Sequence, residues 1–419
     1  MSEGLAALFW GVITFSLLVV VHEGGHFLAA RAFGVKVHEF MVGLPAPAIR
    51  FHGKKTTYGI TAVPLGGYVR IAGMEPGPED PLLGPALASV TRHATAYAFT
   101  VATELGIDES TADQLLLTLS DWDAIEPVSD DDHTYRSRFE PSMAEDPVVL
   151  LDRARTVTYR ALSTPKRIIM LSMGVLLNLL TAIAVFTFTL SAFGYLRDTG
   201  AIESVSPESA AARAGIVAGD RILAVDGTET PDFPALVNTV ARYEPGDVVT
   251  VRVERADSTI SLRATLGTNP ETRRALLGVT PEVVTVRPSV LEAFVLSFSY
   301  ILMTFVAIAG FFNPATFEAS VAQSSSVIGA AYYAAEAAKS GPLDYAGIVA
   351  ALSLSLGVIN ILPIPPLDGG KVAIEIVERL RGRPLPRNFS LGLSLTGAML
   401  LFALIGYLMF QDVTRLIGG

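Results

Sequence analysis

Leu5-Ala6-Ala7-Leu8-Phe9-Trp10-Gly11-Val12-Ile13-Thr14-Phe15-Ser16-Leu17-Leu18-Val19-Val20-Val21 carries no charge and leads straight into His22-Glu23-Gly24-Gly25-His26. The apolar run effectively continues to Ala30, long enough to cross a hydrocarbon layer of about 30 Å at 1.5 Å per helical residue. A cleaved signal peptide needs a basic start and a small-residue cleavage site. This chain starts Met1-Ser2-Glu3-Gly4 and has two imidazoles and a carboxylate where that site belongs, so a retained membrane helix is expected. On a helix, positions i and i+4 share a face, so His22 and His26 can reach one ion with Glu23 beside it. Ionisable groups in an apolar span are costly and mark function. Two neutral imidazoles and one oxygen ligand leave zinc a fourth position for water, and the neighbouring carboxylate can accept that water's proton.

The third ligand is expected at Asp368. It lies in Asn360-Ile361-Leu362-Pro363-Ile364-Pro365-Pro366-Leu367-Asp368-Gly369-Gly370, where prolines stop a helix and glycines permit close backbone approach. An acid closing an apolar stretch needs a cation or hydrogen bonds to compensate it.

Composition agrees with a membrane chain. Of 419 residues, 50% are hydrophobic and only 17% charged, well below the quarter usual in soluble domains. The absence of cysteine excludes disulfides, cysteine zinc sites and thiol nucleophiles. A net charge of −10 argues against nucleic acid as a partner. Further spans are expected at Ile168–Phe193, Tyr345–Leu362 and Leu391–Phe410, making about four. Val290–Phe312 is also long enough, but Glu292 near its start and Asn313-Pro314 at its end suit an outer-surface or partly inserted amphipathic helix. Arg and Lys cluster at 31–70, 153–167 and 371–387, which places those segments in the cytoplasm and residues 195–340 outside. His22, His26 and Asp368 then share a depth only if both of their spans run inward.

Between the spans, 35–74 reads as strands, with alternation at Val35–Phe40, Thr56–Ile60 and Gly66–Ile71. Residues 75–160 are rich in acids, among them Asp121, Asp123 and Asp130–Asp132, and read as a solvated cytoplasmic insertion with partial helix. Residues 200–285 alternate strand and helix signals. A strand at Ile202–Val205 precedes a helix capped at Ser206-Pro207. A strand at Arg221–Val225 ends in the Asp226-Gly227 turn, Thr230-Pro231 opens a second helix, and Val248–Glu254 with Thr259–Ala264 makes a hairpin-like pair. The stretch Ala212-Arg213-Ala214-Gly215-Ile216 through Gly219-Asp220-Arg221-Ile222-Leu223 to Asp226-Gly227 resembles a PDZ domain, a module that captures extended peptides at a strand edge. A spacer or gate on the same fold is the alternative.

Taken with Pro64-Leu65-Gly66-Gly67-Tyr68-Val69, the HEGGH and Asn360–Gly370 stretches resemble the site-2 protease family of intramembrane zinc metalloproteases, in particular bacterial regulators of sigma-factor signalling. The resemblance implies a multi-pass α-helical protein of the bacterial inner membrane with a cytoplasmic β-hairpin at 56–71 and an inserted extracytoplasmic α+β PDZ domain. It implies Zn2+ on His22, His26 and Asp368 with Glu23 as general base, and substrate contacts at Gly43, Gly66, Gly67, Tyr68 and Asn360. The implied substrate is a single-span transmembrane protein such as an anti-sigma factor, cut in the lipid bilayer after a site-1 protease has acted. Val42-Gly43-Leu44-Pro45 and Gly174-Val175-Leu176-Leu177-Asn178 depart from the family's usual Gly-Phe-Gly-Pro and Gly-Pro-x-x-Asn. The expected parts are a first span at 1–34, the strand region at 35–74, the insertion at 75–160 and a second span at 161–195. The PDZ module at 196–287, a surface segment at 288–340, a third span at 341–370, a loop at 371–388 and a last span at 389–419 complete the chain. A non-proteolytic, membrane-anchored PDZ adaptor with a zinc-binding helix is the competing reading.

Overall fold

The computed structural model describes residues 3–63, 66–128, 134–256, 258–269 and 273–418. Pro64-Leu65 of the glycine motif and the acids Asp130–Asp132 lie outside the described residues. The chain forms two compact units, Met1–Thr187 with Phe294–Gly419, and Phe188–Ala293.

Helix α1 (Glu3–Ala32) is apolar around most of its circumference, as a helix solvated by lipid must be. It is followed by β1 (Val37–Val42), β2 (Ala48–His52), β3 (Thr57–Thr61) and β4 (Gly67–Ile71), a sheet of order β2-β3-β1-β4. The hairpin expected at 56–71 is not formed. β3 and β4 both pair with β1, β3 in parallel and β4 antiparallel, so β1 lies between them. The strands are where alternation places them, but alternation does not specify a partner. β4 is an edge strand.

The insertion is also more ordered than its composition suggests. Helices α2 (Leu83–Arg92), α3 (Ala98–Leu105), α4 (Glu109–Asp121) and α5 (Pro147–Arg155) pack with the small sheet of β5 (Thr95–Tyr97), β6 (Ile125–Pro127) and β7 (Thr134–Ser137). Leu87, Val90, Leu116, Leu119, Trp122 and Ile125 are buried in one continuous core. The reading of a solvated segment with partial helix is therefore corrected to a packed α/β subdomain. Among its described acids, Asp108 and Asp146 cap α4 and α5.

Helix α6 (Thr164–Phe193) leads into the second unit. There β8 (Tyr195–Val205), β9 (Arg221–Val225), β11 (Val248–Arg255), β12 (Ser258–Thr265) and β15 (Val279–Val286) form a sheet of order β12-β11-β9-β8-β15. The short β10 (Thr228–Glu229) pairs with β9, and β13 (Gly267–Thr268) pairs with β14 (Ala275–Leu276). The helices start later than their sequence signals. α7 (Ala210–Ala214) is capped by Ser209 and not Ser206, and α8 (Phe233–Val240) by Asp232 and not Thr230. Each capping oxygen accepts a backbone N–H three residues on, which is what fixes the start.

The chain then continues through α9 (Val290–Ala309), α10 (Phe317–Gln323), α11 (Val327–Ser340), α12 (Pro342–Ile361), α13 (Asp368–Arg381) and α14 (Arg387–Gly418). Among the described residues, five helices are long and apolar enough to cross a membrane, where about four were expected. The fifth is Val290–Phe312. Its Tyr300 ring lies 5.2 Å from Phe186, and Ser297 Oγ lies 3.2 Å from Thr187 Oγ1. Tyr300, Ile301 and Ile308 join Leu179, Ala182, Leu354 and Val358 in one cluster, so α9 runs lengthwise against α6 and does not lie apart on a surface. The chain then doubles back. Gly11 of α1 meets Ala331, with 2.7 Å between a Cβ built on Gly11 and the Ala331 Cβ, and Glu3 is in electrostatic reach of Lys339, so α11 runs opposite to α1. That return lets α12 begin at the end where α9 begins. Thr14 Oγ1 lies 2.9 Å from Tyr345 OH near the start of α12, and His26 meets Asp368 just beyond its end. α1 and α12 therefore run in the same direction, as a shared depth for the three candidate ligands requires.

Candidate metal centre

The last three turns of α1 bring His22 and His26 onto one face, their rings 5.1 Å apart between centroids. Leu362 to Leu367 breaks the helix after α12, and Asp368 opens α13. Gly369 and Gly370 sit against the backbone of Ile361–Leu362 and Ile364–Pro365, and a Cβ on either would collide with it. This tight return carries the carboxylate back to α1. Nε2 of His22 and Nε2 of His26 each lie 3.0 Å from Asp368 Oδ2, and all three side chains are buried. One ligand atom from each residue falls within 4.8 Å of the others. A tetrahedral zinc with ligand bonds of about 2.0–2.2 Å needs donors roughly 3.3 Å apart, so each histidine–Asp368 pair fits such an ion with slight expansion. The donor set suits it too, with two imidazoles, one carboxylate and no cysteine.

Groups behind the donors orient them. His26 Nδ1 lies 2.9 Å from the carbonyl oxygen of Met170, an acceptor only, so Nδ1 carries the proton and the Nε2 lone pair is left for a metal. Asn178 is fully buried, with its Nδ2 3.1 Å from His22 Nδ1 and its Oδ1 without a hydrogen-bond partner. Nothing holds this amide in one sense, and the opposite sense turns Oδ1 toward His22 to accept Nδ1–H. His22 then has the same tautomer as His26. Lys371 Nζ lies 3.2 Å from Asp368 Oδ1, the oxygen that faces away from the histidines. Helix approach is through missing side chains. Gly25 packs on Gly174, and a Cβ on Gly174 would strike His26 Nε2.

Glu23 sits one residue from His22, within electrostatic reach of both histidines, Asp368 and Lys371. Strand β4 runs beside it. A Cβ built on Gly67 would be 3.8 Å from Glu23 Cγ and 2.5 Å from Val19 Cγ1. Gly43 and Gly66 close the neighbouring end of the sheet, both at positive φ, with Gly43 N–H donating to Gly66 O at 2.7 Å. Tyr68 OH donates to Glu39 at 3.1 Å. Asn360 stands on the last turn of α12 and donates to Leu356 O in its own helix, so its amide does not meet the three donors. The structure thus gathers His22, His26, Asp368, Glu23 and the Gly43/Gly66–Gly67 corner in one place. It adds Met170, Asn178, Gly174 and Lys371, to which the motif alone assigns no role. Asn178 had a signal, being an amide deep in an apolar span at a helical spacing of four from Gly174.

The model of peptidase family M50 matches residues 10–404, nearly the whole chain. The chain belongs to peptidase family M50, the site-2 protease family. Curated relatives of this M50 peptidase agree along their full length. It is 26% identical to zinc metalloprotease RasP of Geobacillus kaustophilus, over 99% of each chain. It is 27% identical to RasP of Shouchella clausii, over 97% of this chain and 98% of that one. Against "Probable protease eep" of Enterococcus faecalis the identity is 27%, over 96% and 98%. Among solved structures, the PDZ domain of an SdrC-like protein from Listeria monocytogenes covers 20% of this chain and 88% of its own, at 21% identity and a TM-score of 0.19. The chain is a zinc metalloprotease of the site-2 type and a multi-pass membrane protein.

Proposed function

We propose that this M50 peptidase hydrolyses a peptide bond in or next to the transmembrane segment of a single-span protein, with His22, His26 and Asp368 holding zinc and Glu23 as the proton carrier. The observation that carries the reading is the buried three-donor cluster with Glu23 and an edge strand at its side. His22, His26 and Asp368 would hold a zinc ion there, which would supply Lewis acidity to the scissile carbonyl and to a water. Glu23 takes a proton from that water and gives it to the departing amine. The Met170 carbonyl and the Asn178 amide hold the imidazoles with Nε2 turned inward.

A helical substrate hides its amides in its own hydrogen bonds and must unwind, at several kcal/mol for each backbone group left unpaired in a dry site. The edge of β4 at Gly67-Tyr68 offers replacement hydrogen bonds beside Glu23, and Gly67 lets that strand lie close against Val19 of α1. Gly43 and Gly66 shape that corner, and Asn360 lies on the helix that leads to it. The donor end of α1 faces the cytoplasm of a bacterial inner membrane, and the 188–293 unit, read as a PDZ module, stands outside. There it would admit substrates already shortened by another protease. An anti-sigma factor fits these demands, having one span and a removable outer domain.

The test is a Glu23→Gln variant, purified in detergent and given a single-span reporter. Cleavage is expected to fall by about 10²–10⁴ while zinc stays near one per chain. Retained cleavage would remove Glu23 from its role. Chelator-insensitive wild-type cleavage, or none at all, would favour the adaptor reading.

A further inference from the structure

Helix α4 ends on an acid. Asp121 is its last residue, where the open carbonyls of a helix repel negative charge and alanine would suit the helix better. The core of the subdomain does not need it either, since this helix supplies Ala112, Leu115, Leu116 and Leu119 to that core. Its side chain is nonetheless only 16% exposed, because it is turned to the sheet of β1 and β4. Oδ2 accepts the backbone N–H of Gly73 at 2.8 Å, two residues past the end of β4. Oδ1 lies 3.8 Å from Arg70, on β4 itself. The Asp121 carbonyl accepts from His38 Nε2 at 2.6 Å, at the place where the register of β1 against β4 shifts. One residue of the subdomain thus ties the end of β4 to the adjoining start of β1.

The chain around this tie is fitted closely. Gly73 has φ +75°, and a Cβ there would lie 2.8 Å from Thr158 Cβ, so the backbone leaving β4 is threaded between Thr158 and Asp121. Lys36, just before β1, pairs at 3.0 Å with Asp123, two residues beyond Asp121. Arg70 also faces Glu39 at 3.9 Å, and Glu39 accepts from Tyr68 OH, next to Gly67. Those long ion pairs of a half-exposed arginine count for little. The hydrogen bond from the Gly73 backbone to a charged acceptor is the strong one. It matters because β4 is paired with β1 alone and is an edge strand. A strand held on one side frays unless its end is tied, and a frayed edge must be ordered again before a second strand can pair with it.

We propose that Asp121 is a positioning residue, through which the α/β subdomain keeps the edge of β4 ordered for pairing with an unwound substrate. This rests on the reading of β4 as the strand that receives substrate. Asp121→Ala and Asp121→Asn are compared with the unmodified full chain on a single-span reporter in detergent. Pairing precedes the chemical step and persists through it, so weaker pairing shows in KM and not in kcat. In Asp121→Ala, KM should rise about tenfold, the worth of one hydrogen bond to a charged group, with kcat and zinc content held. Asp121→Asn keeps an acceptor oxygen for Gly73 and should recover most of the loss. Hydrogen exchange should quicken at residues 67–73 in Asp121→Ala and stay slow in α4, which loses only an unfavourable terminal charge. An unchanged KM, or a loss confined to kcat, would overturn the proposal. So would faster exchange throughout the subdomain, which would make Asp121 a structural residue. A cross-link separates this proposal from the reading beneath it. The chain has no cysteine, so Tyr68→Cys in a Glu23→Gln background puts a single thiol on β4 to meet a reporter with one thiol beside its scissile bond. No disulfide at all would remove β4 as the substrate strand, and the proposal with it. A disulfide formed equally well after Asp121→Ala is added would overturn the proposal alone.

Discussion

Around His26, helices meet through absent side chains. Gly25 lies on Gly174, Gly369 on Ile361 and Gly370 on Pro365. Just beyond the sheet in the chain, the α/β subdomain is held in the opposite way, by Leu87, Leu116, Trp122 and Ile125 buried against one another. The contrast follows from what surrounds each region. Lipid is as apolar as leucine, so burial gives no drive for helices to associate, and close backbone approach with a few hydrogen bonds takes its place. The subdomain is built like a soluble domain, in which removal of apolar surface from water supplies the stability. One region rests on a few close backbone contacts. The other spreads its stability over many side chains.

Substitutions should separate the two. The largest effect is expected for Gly174→Val, whose branched side chain must occupy the position of His26 Nε2. Zinc content should fall to background and cleavage with it, while thermal unfolding of the subdomain is unmoved; zinc retained at wild-type level would show that the helix contact is looser than it looks. Next comes Leu116→Ala, fully buried in the subdomain core. It should cost about 2–5 kcal/mol of that subdomain's stability by denaturant titration and leave zinc bound. Loss of metal there would mean that the two regions are coupled. The smallest effect is expected for Asn178→Ala, which removes an orienting group and no ligand. Zinc affinity, measured by competition with a chromophoric chelator, should weaken roughly ten- to a hundredfold. An unchanged affinity would make Asn178 a packing residue only.

The same contrast governs what could be read from the sequence. His22, Glu23 and His26 stand out because charge inside an apolar run has no cheap structural explanation, and Asp368 because its proline-rich setting ends a span. The strands at 57–61 and 67–71 were visible in alternation, but their common partner β1 was not, since period-two patterning says nothing about who pairs with whom. The subdomain was obscured by its acids, although Ala112, Leu115, Leu116 and Leu119 of α4 carry a clear helical stripe and are all buried. The descent of α9 and the return through α11 depend on contacts with α6 and α1 that no local pattern encodes. Gly174 and the Met170 carbonyl are of the same kind, since a glycine's contact and a backbone acceptor leave no mark in composition.

The central claim is that α1 and the start of α13 share one metal. X-ray absorption at the zinc edge of the purified full-length protein tests it most directly, comparing wild type with Asp368→Asn. Two nitrogen ligands from imidazole with oxygen completing the shell, and a marked loss of bound zinc in the variant, are the expected result. A wild-type shell lacking the two imidazoles, or full zinc occupancy with an unaltered shell in Asp368→Asn, would contradict the account.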